Sequence, residues 1–370
     1  MRTRLLFACL LIAALLSGCS NTSYYLQSIR GHLALMNAAQ PIDTWLADPN
    51  TPPALKTRLQ LAQRMRRFAV TDLGLPDNAS YQRYADLHRA AVVWNVVAAP
   101  ADSLTLKTWC FPVVGCVGYR GYYDQAQAET LAAELQSEGL EVSVYGVPAY
   151  STLGWMNWAG GDPLLNTFIR YPEGELARMV FHELAHQVLY VKNDTPFNES
   201  FATAVERIGS ARWLTLHATP AAQAEYARFN ARRNQFRALV RSTRQTLSAI
   251  YASKEPLALA EPAQAAMKLR ALEKFRTDYA TLKASWAGTD APTAGYDRWV
   301  DKANNAAFGA MAAYDEWVPG FEALFQREAH GASDRQAWQR FFIAVQQSAD
   351  LPAAERARVL TQLASAKANN

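Results

Sequence analysis

The sequence predicts a predominantly helical α+β fold, in which a small mixed sheet segment precedes candidate metal-binding helices and a helical C-terminal lobe. Three observations carry that prediction. Ala91 to Ala98 is rich in Val and Trp, and Glu141-Val-Ser-Val-Tyr145 alternates, so both stretches read as strands. From residue 173 onward, apolar side chains recur almost throughout at helical spacing. His182-Glu183-Leu184-Ala185-His186 then sets two imidazoles four residues apart in the first of those helices, on one face.

At the N-terminus, Arg2 and Arg4 precede an apolar run from Leu5 to Leu16, and Ser17-Gly18-Cys19 follows. A basic start, a short apolar core and small residues before a cleavage point read as a secretory signal. The run spans 12 residues, whereas crossing a bilayer takes about 20. That length also argues against the alternative, a short N-terminal anchor helix. Leu16-Ser17-Gly18-Cys19 resembles the lipobox of bacterial lipoproteins. The resemblance implies that residues 1–18 are a removed lipoprotein signal peptide and that Cys19 is lipidated. It also implies a bacterial periplasmic protein tethered to a membrane, and Ser20 in place of Asp points to the outer membrane.

Removing residues 1–18 leaves 370 − 18 = 352 residues, enough for one large domain or two lobes. Losing Arg2 and Arg4 takes the net charge from +4 to +2, which makes no case for nucleic acid as a partner. Of the four cysteines, Cys9 goes with the signal and Cys19 takes the lipid. Cys110 and Cys116 remain, with Pro112 and Gly115 between them to help a loop turn. In an oxidising compartment this pair predicts a disulfide; the alternative is two buried free thiols. Metal binding there is the weaker reading, because no His or second Cys pair is near in sequence.

Residues 19–90 form an N-terminal helical region, with apolar residues at helical spacing over 24–38 and 54–71. Residues 91–210 form the mixed α/β catalytic region. Asp124 to Gln136 reads as a helix closed by Gly139. Glu173 to Val191 and Asn198 to Trp213 are the helices that carry the motif. Residues 211–370 form the C-terminal helical lobe, with long helices over about 221–252, 263–286, 297–329 and 334–366. The arginines of 228–244 read as a solvated face.

The chemistry centres on H-E-x-x-H. His182 and His186 at i and i+4 can hold one metal ion from one side, and Glu183 beside them can take a proton from a metal-activated water. Leu176, Met179, Val180, Leu184, Val188 and Leu189 make this helix apolar over much of its surface. Burying two His and a Glu there is costly unless they have partners. A third ligand at position 192 is excluded, since Leu189 and Lys192 stand where Gly and His would be needed. Instead Asn193-Asp194-Thr195-Pro196 breaks the helix, and a second one opens with Asn198-Glu199. A helix–turn–helix returns that carboxylate to the first helix, which completes a two-His, one-Glu site with a fourth position open.

Phe197-Asn198-Glu199-Ser200-Phe201-Ala202, with Glu206 beyond it, resembles the N-E-G-F-A-x-x-x-E segment of gluzincin aminopeptidases. The resemblance implies a gluzincin-like fold, one Zn2+ ion on His182, His186 and Glu199, and Glu206 supporting a ligand histidine. One departure is the 12 residues between His186 and Glu199, fewer than such aminopeptidases usually have. The chain as a whole resembles a bacterial group of predicted aminopeptidases, most of them lipoproteins. The resemblance rests on Tyr24 to Gly31, Cys110 to Tyr123, Tyr150 to Trp155, the metal helices and Asn304-Asn305-Ala306. It implies a peptide substrate. Where the related enzymes have an amine-binding Glu, this chain has Gly154-Trp155-Met156-Asn157-Trp158, so Asp162 is the substitute candidate. For the oxyanion the candidate is Tyr314, with Tyr296 and His217 as rivals. His32, His88 and His330 lack ligand spacing. Two other readings stand beside the aminopeptidase: a zinc endopeptidase of envelope proteins, and a non-catalytic envelope lipoprotein stabilised by zinc.

Overall fold

The computed structural model describes residues 22–112, 114–252, 257–287, 293–312 and 317–368. The signal segment and Cys19 lie outside them, as does Tyr314. Among the described residues, no helix is long and apolar enough to cross a membrane.

Helix α1 covers 22–38. Strand β1 (Gln40–Pro41), α2 (Ile42–Ala47), α3 (Pro53–Thr71) and β2 (Arg83–Ala85) follow. Next come β3 (Val93–Ala99), the hairpin of β4 (Trp109–Phe111) and β5 (Gly115–Val117), and β6 (Arg120–Tyr122). Helix α4 (Gln125–Ser137), β7 (Glu141–Val147) and β8 (Leu164–Leu165) complete the mixed segment. The rest is helical: α5 (Glu173–Ala185), α6 (Thr195–His217), α7 (Pro220–Tyr251) and α8 (Leu257–Ala284). These are followed by α9 (Ala294–Asp301), α10 (Asn305–Ala312), α11 (Val318–Ala329), α12 (Asp334–Ala349) and α13 (Ala353–Ala368). The chain is thus α+β and mostly helical, as expected.

The two strands read from the sequence pair with each other. β3 lies between β6 and β7, antiparallel to both, in a register from Val93↔Val147 to Ala99↔Glu141. Both faces of β3 are covered, which is why it reads as an apolar run without strict alternation. Val96 and Ala98 pack on Ala128, Ala132 and Leu135 of α4. Val97 and Ala99 pack on Ala306 of α10, together with Tyr119 and Tyr145. Helix α4 starts where Asp124 accepts the Gln127 N–H at 3.0 Å, and ends at Gly139, whose φ of 86° suits glycine.

The largest core joins both ends of the chain. Phe68 of α3, Phe181 of α5, Phe197 and Phe201 of α6, Phe321 of α11 and Phe341 of α12 are all buried in it. A second core forms where Phe236 and Leu247 of α7 meet Leu272 and Phe275 of α8, with Trp286, Val300 and Phe308. The strands β1, β2 and β8, of two or three residues each, and the short hairpin β4–β5 were not expected. Pairings that short leave no periodicity in a sequence. The arginines of α7 form the expected solvated face only in part: Arg228 and Arg241 are exposed, and the others are not. Arg232 is buried with its guanidinium 5.8 Å from the Trp286 ring, Arg233 pairs with Glu175, and Arg237, Arg241 and Arg244 line a cavity of about 630 Å³.

Helix α10 is pinned to the sheet by two side chains. Asn304 donates to the Val142 carbonyl at 2.9 Å. Asn305, fully buried, donates to the carbonyls of Pro100 and Ala101 and accepts from the Tyr251 hydroxyl, while its own N–H reaches Glu141. Asn305→Ala leaves the Pro100 carbonyl and the Tyr251 hydroxyl without that partner, while Ala101 O keeps Lys268 Nζ at 2.8 Å. It is expected to cost about 2–3 kcal/mol, read as a lower midpoint in chemical denaturation.

Candidate metal centre

Helix α5 stops earlier than the expected Val191. After Ala185 the bonding tightens: Gln187 N–H goes to Leu184 O at 3.1 Å and Val188 N–H to Ala185 O at 2.9 Å. Such shortened bonds close a helix end. The chain must then reverse within a few residues, because α6 begins at Thr195. Asn193 takes a left-handed φ of 65°, a conformation that asparagine tolerates. Asp194 caps α6 by accepting the Phe197 N–H at 3.2 Å, and Arg356 of α13 grips the same carboxylate at 2.6 and 3.0 Å. The turn is closed by Asn198. Its amide donates to Val191 O and its carbonyl accepts from Val191 N–H, each at 2.7 Å.

That closure delivers Glu199 to the histidines. Its Oε2 lies 3.3 Å from His182 Nε2 and 3.7 Å from His186 Nε2, and the two nitrogens are 3.2 Å apart. Tetrahedral coordination with bonds of about 2.0–2.1 Å separates donors by about 3.3 Å. Two imidazoles and one carboxylate at these spacings therefore fit a single divalent ion. Among the described residues these three form the one group of His, Cys, Asp or Glu compact enough to do so. The side chains are 12%, 8% and 15% exposed, so the cluster keeps a narrow opening.

Glu206, two turns along α6, stands 3.1 Å from His182 Nδ1. It directs the other ring nitrogen at the ligand cluster, as carboxylates behind metal-binding imidazoles do. Glu206 is held in turn by Arg178, which also meets Glu175, and Glu175 pairs with Arg233. Burial pushes the Glu206 carboxyl up, but Arg178 and then His182 outweigh it and hold it at about 2. Burial likewise opposes ionisation of Glu199, yet His186 and His182 carry its pKa well below the carboxylate range. His182 moves the other way: against burial, its bonds to Glu199 and Glu206 raise its pKa. Glu183 is raised chiefly by burial, with the charges of Glu199 and Asp162 adding to it. A raised carboxyl suits a group that must take up a proton.

A disulfide joins Cys110 to Cys116, and the hairpin it closes rests on the turn between α5 and α6. Cys116 N–H donates to Asn193 Oδ1 at 2.7 Å, Tyr190 OH to Val114 O at 3.2 Å, and Lys192 Nζ to Pro112 O at 3.1 Å. Gly115 is required there. Its φ is 79°, and a Cβ on it would sit 2.2 Å from Asn193 Oδ1.

Other expected residues fall elsewhere. Asp162 does not present its carboxylate as an amine-binding group. It is buried, and both oxygens accept the Thr152 N–H, at 3.0 and 3.1 Å, with Gln187 Nε2 at 3.3 Å. It closes the loop that carries the exposed Trp155 and Trp158. His217 stacks on Trp213 at the far end of α6 from Glu199, and Tyr296 packs on Phe236. Sequence reasoning missed the tyrosines around the site. The Glu199 charge adds to burial in raising the phenols of Tyr119 and Tyr190, the latter to about 12, and it also raises Tyr145. They come from three separate segments, so no spacing signals them.

The family model described as "Putative aminopeptidase" matches residues 23–360. The chain belongs to this family. The match takes in the metal cluster, its supporting Glu206 and the disulfide hairpin. Comparison with curated proteins and with solved structures finds no match.

Glu206→Gln removes the charge that orients His182. It is expected to weaken binding of a divalent ion at the cluster about 10- to 100-fold, measured by competition with a chromophoric chelator.

Proposed function

We propose that this chain hydrolyses peptide bonds with one zinc ion held by His182, His186 and Glu199. The observation that carries the proposal is the convergence of His182 Nε2, His186 Nε2 and Glu199 Oε2 within 3.2–3.7 Å of one another. Two imidazoles and one carboxylate favour zinc among divalent ions. When bound, the ion supplies Lewis acidity that polarises a peptide carbonyl and makes water easier to deprotonate. Glu183 takes the proton from the attacking water and returns it to the leaving amine. Glu206 keeps the His182 ring in place throughout, and Arg178 keeps Glu206 charged.

A cluster of three protein ligands supports a catalytic site over a closed structural one, which would need a fourth. The family description supports cleavage at the amino end of peptides. The segment Gly154 to Trp158 lacks a Glu for the free amine, which keeps an endopeptidase as the second reading. Gln187, directly after His186, anchors this loop through Asp162, so Trp155 and Trp158 stand on a loop tied to the metal helix.

Glu183→Gln is expected to keep stoichiometric zinc and to lose about 10²- to 10⁴-fold in kcat on peptide substrates. Equal turnover by the two proteins would sink this mechanism. A series of free-amine peptides and their N-acetylated counterparts decides the mode: an aminopeptidase cleaves the first set alone.

The same proposal places the protein in the bacterial periplasm, held to the outer membrane by lipid on Cys19. The basic start, the apolar run and Leu16-Ser17-Gly18-Cys19 support this, and a disulfide suits an oxidising compartment. Palmitate labelling of the expressed full chain is expected to disappear in Cys19→Ala; a label that persists in the variant rules the anchor out.

A further inference from the structure

One residue beside the metal helix carries two costs that nothing else in the fold explains. Tyr81 is 1% exposed, and its hydroxyl is buried with no hydrogen-bond partner among the described residues. Its φ is 62°, left-handed for a bulky side chain. A buried hydroxyl needs an acceptor, and backbone strain of this kind persists where the surroundings overdetermine it and a function uses it. The surroundings do overdetermine it. Tyr81 N–H donates to Asp162 O at 2.7 Å, and Arg66 Nε holds Ser80 O at 2.9 Å. Asp162 N–H donates to Ser80 Oγ at 3.0 Å, and a Cβ on Gly161 would lie 2.4 Å from Ser80 N.

The same short segment contacts the chain just past the end of α5, one turn beyond Glu183. Asn78 Nδ2 donates to Gln187 Oε1 at 2.7 Å, and Gln187 Nε2 donates to Ser80 Oγ at 3.1 Å. Gln187 follows Glu183 by four residues and lies just past the end of α5, where His186 N–H still bonds His182 O at 3.3 Å, so the two side chains leave the chain on the same side, about a turn apart. Asn78 and Ser80 engage the outer of these side chains, which leaves Tyr81 for the inner one. The charges that bear on the Tyr81 phenol agree: after burial, Glu183 comes first and Asp162 second.

We infer that Tyr81 is the positioning residue of Glu183, its hydroxyl donating to the Glu183 carboxylate through one bridging water. The inference rests on the reading of Glu183 as general base. Tyr81 does not touch substrate. It fixes the direction from which the carboxylate meets the attacking water, and the strained 78–81 segment, braced by Asp162, keeps the phenol in place.

The test is a double-mutant cycle in the zinc-loaded full chain, pairing Tyr81→Phe with Glu183→Ala, and with Glu183→Leu should the alanine variant not fold. Two quantities are read: the denaturation midpoint, and kcat and KM on a free-amine peptide. Tyr81→Phe is expected to lower kcat about 10- to 100-fold, the range for a hydrogen bond to a charged group, with KM and zinc content unchanged. It is expected to lower the midpoint in the wild-type background and leave it unmoved once Glu183 is gone. An equal midpoint shift in both backgrounds means that the phenol has another partner and overturns the inference. An increase in KM with kcat unchanged does the same. If wild type and Glu183→Gln turn over peptide equally, the peptidase reading fails, and the midpoint cycle still decides the Tyr81–Glu183 pair.

Discussion

Glu199 meets the two histidines because the Asn198 amide grips the backbone of Val191 from both sides. A helix that ends at Ala185 and another that starts at Thr195 leave little chain in which to reverse direction. The two 2.7 Å bonds between Asn198 and Val191 occupy a donor and an acceptor that the turn would otherwise leave buried and unmet. The short connection between the two helices is thereby a matter of local hydrogen bonding. Around that closure the fold adds supports from distant parts of the chain. Arg356 comes from α13 to Asp194, and the Cys110–Cys116 hairpin comes from the other side to Asn193, Tyr190 and Lys192.

Electrostatics then decides the protonation of the site. Glu206, Arg178, Glu175 and Arg233 alternate in sign along one chain of contacts that ends on His182. In a poorly solvated interior each charge depends on its neighbour, since a buried charge without a partner is far costlier than one with it. The network therefore does more than orient an imidazole. It favours the ionised form of Glu206 although it is buried, and an ionised carboxylate is the stronger acceptor on the Nδ1 side of the His182 ring while Nε2 faces the ligand cluster.

Parts of this were legible in the sequence because they depend on local spacing. The i, i+4 repeat put His182 and His186 on one face, and seven residues separate Glu199 from Glu206, two turns of one helix. An apolar run announced β3, alternation announced β7, and Gly139 announced the end of α4. Other parts were not legible. Asp162 looked like an amine ligand because it is an acid near the right loop, yet the fold turns it inward to hold Thr152 and Gln187. Tyr81, Tyr119, Tyr145 and Tyr190 meet near the site from four places in the chain, and the left-handed backbone at Tyr81 has no sequence signature because the residue is not a glycine.

The sequence by itself determined the secondary-structure balance, the motif helix with its two histidines and Glu183, and the carboxylates that follow on the next helix. These are periodic features of single segments, and helix geometry converts their spacing directly into position. Only the tertiary structure decided how closely Glu199 approaches the histidines, which charges sustain Glu206, where Asp162 points and which phenol lies beside Glu183. Each of those depends on side chains brought together from far apart in the chain, where packing and hydrogen-bond satisfaction, and not spacing, choose the partner.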